Sequence, residues 1–160
     1  MTTGTPEERL AAAGFTLPKT LAPLGAYVPA LVNGHHVYTS GQLPMIDGAL
    51  PLTGKVGAEV SEEEAKGLAR QCALNALAAI ASVAGDLSAV KRVVKVVGFV
   101  ASDPRFTGQP GVVNGASELF GTAFGDAGIH VRSAVGVAVL PLDAPVEVEV
   151  VVELHTPMGV

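Results

Sequence analysis

The stretch "HVRSAVGVAVLPLDAPVEVEVVVEL", residues 130–154, commits this chain to a β-sheet. β-branched residues fill it, and its second half alternates except at Val151. Val146, Val148, Val150, Val152 and Leu154 make one row, and Glu147, Glu149, Val151 and Glu153 make the other. The hexapeptide "LPLDAP" reads as the turn between two strands. In the first strand, Arg132 shares a row with His130, Ala134, Gly136 and Ala138, small residues that leave room beside a guanidinium. Burying that cation is costly unless an anion meets it. The anion is either a ligand or the chain's own Glu153, which a turn centred near Leu142 and Asp143 sets opposite Arg132. The same hairpin puts Arg132 and Glu147 at opposite ends of the sheet, on the order of 20 Å apart. A site using both then draws them from different subunits.

The rest of the chain supplies helices for that sheet. "TPEERLAAAG" reads as a short helix, with Thr5 and Glu8 as a capping box and Pro6 in the first turn. It forms a loosely attached arm, residues 1–17, ahead of a single domain at 18–156. "AYVPALVNGHHVYTSGQ" is a hairpin signal around Asn33-Gly34, and "PMIDGALPLTGKVG" is a loop with room for a short third strand. Ser61 and Glu64 cap a long helix that Gly85 ends. "VKRVVKVVGFVAS" is a strand, and "PGVVNGASELFGTAFGDAG" is a second long helix with Val112, Ala116, Leu119, Phe120 and Ala123 at helical spacing. The order β-β, α-β-α-β-β predicts an α+β fold, one mixed sheet with two helices on one face. The opposite face is bare, and self-association is the simple way to cover its valines.

Composition narrows the function. The chain has 160 residues, 49% of them hydrophobic and 4% aromatic, with a formal charge of −5. Such a chain is poorly suited to phosphate backbones, so nucleic acid is not an expected partner. The start lacks a basic region followed by an apolar stretch, and no apolar run reaches a membrane span. With Cys72 as its one cysteine, the chain is expected in the cytoplasm. Cys72, on the apolar face of the long helix, reads as a core thiol. His35, His36, His130 and His155 show no metal-ligand spacing, so no metal is expected. His130 shares a strand face with Arg132 and reads as a strand-end polar residue or as part of a cleft.

Three segments in order, "YTSGQLP", "VVNGASELF" and "VRSAVGVAVLPLDAPVEVEV", resemble the Rid family of reactive intermediate deaminases, the YjgF-like proteins. The resemblance runs from about Gly25 to Glu153, and the N-terminal arm and "GALPLTGKVG" point to a branch apart from its best-known members. It implies a chorismate-mutase-like fold, and a homotrimer around a β-barrel core with sites in clefts between subunits. It also implies hydrolysis of small 2-imino acids and enamines to 2-keto acids and ammonia, without cofactor. By position, Arg132 matches the arginine that holds the substrate carboxylate, and Glu147 the glutamate that orients water. Tyr27, Ser40, Gly41 and Asn114 match substrate-site positions. Better-known deaminases often carry cysteine at position 134 and glutamate at 136, where this chain has Ala134 and Gly136, and proline or alanine at His130. The alternative from another class is a non-catalytic protein that binds or senses a small carboxylate metabolite through the same cleft. Ribonuclease activity is disfavoured by the acidic charge. A mutase would want several cations around a dicarboxylate.

Overall fold

A computed structural model describes residues 3–20, 22 and 25–159. Its helices are α1 (Pro6–Ala12), α2 (Glu62–Ala84) and α3 (Gln109–Phe124). Its strands are β1 (Ala30–Asn33), β2 (His36–Thr39), β3 (Val90–Ala101), β4 (Val131–Val137) and β5 (Val146–Leu154), in the sheet order β1-β2-β5-β3-β4. The capping boxes of α1 and α2 form as the sequence predicts: the Thr5 and Ser61 hydroxyls accept from Glu8 and Glu64 N–H, and each glutamate reaches back to its cap. The β1–β2 turn falls on Gly34 and His35, one residue past the expected pair, because the positive φ of 62° belongs to Gly34 at the first central position.

The C-terminal strands do not form the expected hairpin. Through α3, β3 and β4 make a parallel βαβ unit with Val96 beside Arg132. β5 runs antiparallel along the other edge of β3, with Val96 beside Val150. The connection turns sharply at Leu142 and Asp143, both at positive φ (59° and 56°), and carries the chain past β3. Alternation fixes which face a residue takes, but not which strand it neighbours.

The alternation itself holds. Val146, Val148, Val150, Val152 and Leu154 are buried with Val93, Val96 and Val100 of β3 beneath α2 and α3. α3 closes on α2 at Gly115, where an added Cβ would stand 2.9 Å from the Lys66 carbonyl carbon. On the opposite face Leu31, Tyr38, Val131 and Val135 are exposed. α1 is a third helix, and it is tied down rather than loose. Leu10 is buried in the main core, Arg9 Nε donates to the Ala123 carbonyl at 2.8 Å, and Glu7 accepts from Leu87 N–H at 2.7 Å.

By length and composition α2 could cross a membrane, contrary to the sequence reading. Its apolar window is 61% buried within the fold, as expected of a core helix. Its residues Ala65, Ala69, Cys72, Ala76 and Leu77 form the layer on the sheet.

Candidate functional site

Arg132 points to the helix side of the sheet, on the rung of Val96, at the exposed edge strand. Its Nη1 donates to Ser117 Oγ and its Nη2 to the Pro110 carbonyl, each at 3.1 Å. Both acceptors are neutral and both belong to α3. Among the described residues no carboxylate pairs with Arg132. Glu153, the partner that a β4–β5 hairpin would have supplied, pairs instead with Lys91 at 2.9 Å. The guanidinium therefore lines an open cleft with Asn114, Ser117 and His130, its charge unopposed. Asn114 reaches this cleft from the half-buried flank of α3.

Glu147 lies on the opposite face of the sheet, on the rung of Phe99. It opens into a cavity of about 350 Å³ whose wall includes Tyr27, Pro29, Leu43, Met45 and Pro141. Burial, and secondarily the Glu149 carboxylate, push the Glu147 carboxyl up from its ordinary value. Gly41 lines the same cavity because its bareness admits the glutamate: a Cβ there would lie 2.7 Å from Glu147 Cδ. Gly41→Ala is expected to displace the carboxylate, a flexible group, so that unfolding free energy moves by less than about 1 kcal/mol. Any function of Glu147 would fall more steeply, and paired denaturation and activity measurements would separate the two effects. Ser40 bounds neither cleft. Its hydroxyl donates to the Val28 carbonyl at 2.6 Å, tying the strand entry in place.

A buried amide shapes the cavity wall. Asn75 of α2, 4% exposed, donates to the carbonyls of Leu43 (2.9 Å) and Met45 (3.1 Å) and accepts from Gln71 at 3.1 Å. Asn75→Leu strips the Leu43 carbonyl of its side-chain donor and leaves the Met45 carbonyl only the longer bond from Gln71 at 3.4 Å, which costs about 1–3 kcal/mol. Denaturant unfolding measures the loss.

Arg132 and Glu147 are thus closer along the strands than the hairpin implied, by three rungs, or about 10 Å. They stand two strands apart, though, and face opposite ways. The candidate residues fall into two separate groups in one chain: Tyr27, Gly41 and Glu147 line a cavity on one face, and Asn114 and Arg132 line a cleft on the other.

Residues 7–154 match the family model described as "YjgF/chorismate_mutase-like, putative endoribonuclease". The chain belongs to the YjgF/chorismate-mutase-like family. Among its relatives, Protein TCP17 of Trypanosoma cruzi is 46% identical over 143 residues, 89% of either chain. The 2-iminobutanoate/2-iminopropanoate deaminase of Escherichia coli K12 is 35% identical over 130 residues, covering 81% of this chain and 88% of the relative. The crystal structure of Atu1372 from Agrobacterium tumefaciens, a protein of unknown function, superposes with a TM-score of 0.87 at 45% identity, covering 95% of this chain and 93% of that one.

In this YjgF-like chain, sequence reasoning missed the residues that hold the candidate residues in place. Ser117 and Pro110 flank Arg132 from α3, and helical spacing places both on the Asn114 side of that helix. Asn75 had a signal too, as a polar residue inside the apolar run "CALNALAAI". Cys72 is fully buried, and burial pushes its thiol well up, as for an inert core thiol. Among the described residues no three His, Cys, Asp or Glu side chains gather in a way that could hold a metal ion.

Proposed function

We propose that this protein hydrolyses small 2-imino acids, and the enamines that tautomerise to them, to 2-keto acids and ammonia, in the cytoplasm and without metal or organic cofactor. The observation that carries the reading is Arg132, a cation held in an open cleft by neutral acceptors alone. Its free N–H groups suit a substrate carboxylate bidentately. The site is completed between copies of a homotrimer, where the Glu147 face of one subunit meets the Arg132 edge of the next. The exposed Val131 and Val135 on the open face support such an association. The 35% identity to an imine deaminase supports the reaction class.

The chemistry then needs few groups. Arg132 fixes the carboxylate of the imino acid. Glu147, as carboxylate, takes a proton from water while the water oxygen adds to the carbon of the protonated imine, and the C=N bond opens to a neutral carbinolamine. The glutamic acid returns that proton to nitrogen, the C–N bond breaks as the carbinolamine hydroxyl gives its proton to the Glu147 carboxylate, the ketone forms, and ammonia takes that proton and leaves as ammonium. A carboxyl raised by burial holds a proton more readily than an ordinary glutamate, which suits it to taking and returning one. The wall of Leu43, Met45 and Pro29 favours an apolar substrate side chain.

Mixing two inactive variants tests the shared site. Arg132→Ala and Glu147→Gln chains, unfolded and reassembled together, regain about a quarter of native ammonia release, since random mixing restores that share of interfaces. No recovery, with mixed trimers verified, would rule out a site built from two subunits. The second reading, carboxylate binding without turnover, needs Arg132 alone. The placement of Glu147 on the far face of the same chain favours it if copies do not associate.

A further inference from the structure

We infer that Ser117 and His130 are positioning residues that hold the Arg132 guanidinium aimed at a carboxylate, a role that rests on reading Arg132 as the anchor. The hydrogen bonds fix a direction. His130 Nδ1 lies 2.6 Å from the Gly128 carbonyl, which can only accept, so Nδ1 carries a proton. In the neutral ring Nε2 is then the acceptor, and the Ser117 hydroxyl at 2.9 Å donates to it. With its proton committed to the ring, Ser117 Oγ turns lone-pair density toward Arg132 Nη1 at 3.1 Å. Donation runs one way, from Arg132 to Ser117 to His130 to Gly128, and each bond polarises the next.

The far end of this string is rigid. The His130 ring meets Phe120 edge-on, with centroids 5.9 Å apart at 89°, and Phe120 is fully buried in the core. Pro110 holds the other arm of the guanidinium from the first turn of α3. An arginine so held loses less side-chain freedom when an anion arrives. The string uses no carboxylate, so it orients the cation without neutralising it. A glutamate in the place of Ser117 would hold Arg132 equally well and cancel its attraction for a ligand.

Pyruvate, a simple 2-keto acid, is the probe, titrated calorimetrically into the full-length protein and its variants. Ser117→Ala removes the acceptor. His130→Phe keeps a ring on Phe120 but removes both nitrogens. Each is expected to weaken pyruvate about 3- to 10-fold, the worth of a neutral hydrogen bond. Ser117→Thr, which keeps the hydroxyl, stays within about 2-fold of native. In ammonia-release assays the loss appears in KM, with kcat changed less. Native affinity in Ser117→Ala and His130→Phe, alongside lost binding in Arg132→Ala, overturns the positioning role and leaves the anchor standing. A loss in Ser117→Ala that Ser117→Thr shares also overturns it. Native affinity in Arg132→Ala, or no saturable binding by the native protein, overturns the anchor and this inference together.

Discussion

Arg132→Ala is expected to weaken the binding of 2-keto and 2-imino acids about 10- to 150-fold, the range that a charge-assisted contact of roughly 1.5–3 kcal/mol implies. The fold should survive it. Arg132 lies on an edge strand, and what it leaves behind is one hydroxyl and one helix-end carbonyl beside an open cleft. Solvent can satisfy both, so the unfolding free energy moves by less than about 1 kcal/mol. Arg132→Lys separates charge from geometry. It keeps the cation but loses the planar fork, and should recover part of the affinity and little of the orientation. If Arg132→Ala binds pyruvate as tightly as the native protein, the carboxylate anchor is elsewhere. If it fails to fold, the guanidinium is structural. Titration calorimetry beside a thermal melt distinguishes the cases.

That expectation depends on who neighbours β4, and here the sequence was legible only in part. Alternation gave the faces correctly: Val146 to Leu154 inward, Glu147 and Glu149 outward. It could not say that β3 would slip between β4 and β5, because a two-residue period carries no information about partners. Had the hairpin formed, Glu153 could have faced Arg132 and quenched it. Instead the strand-helix-strand order of β3, α3 and β4 imposes a parallel pairing, and it exiles Glu153 to Lys91. That order was itself visible in the sequence as "VKRVVKVVGFVAS", "PGVVNGASELF" and "VRSAVGV". It was outweighed by the proximity of the last two strands.

The separation of Arg132 from Glu147 illustrates the same point. The hairpin argument placed them at opposite ends of one face. The structure places them on opposite faces, because residue 132 shares the buried parity of Val96 while residue 147 shares the parity of Phe99. The supporting residues were harder to read. Ser117 and Asn75 carry no motif, and their meaning comes from what lies across a helix interface. The arm's anchoring was likewise hidden, since Leu10 in "EERLAA" looks like any amphipathic leucine until α3 is packed beside it.

Glu147→Gln is expected to lower ammonia release about 10²- to 10⁴-fold, the usual contribution of a positioned acid-base group. Binding of pyruvate should persist, since Arg132 is untouched. Stability should respond in the opposite sense to activity. Burial, with the Glu149 charge second, raises the Glu147 carboxyl in the folded chain. Between the unfolded value and that raised one, the folded protein holds a proton which the unfolded chain has released, so stability falls as pH rises through this window. Above the window the native protein carries a buried charge that glutamine lacks. Glu147→Gln should therefore melt at or above the native temperature at pH 7, with the difference shrinking in acid, where the native glutamic acid is neutral in both states. The same shift bears on the activity profile: the acid limb of kcat/KM, which reports the free protein, lies above the ordinary value of a glutamate, and the variant's residual rate lacks it. Turnover within about 10-fold of native would remove Glu147 from the chemistry. A variant less stable than the native protein at pH 7 would mean that the carboxylate makes a favourable contact, and that burial is not what governs it.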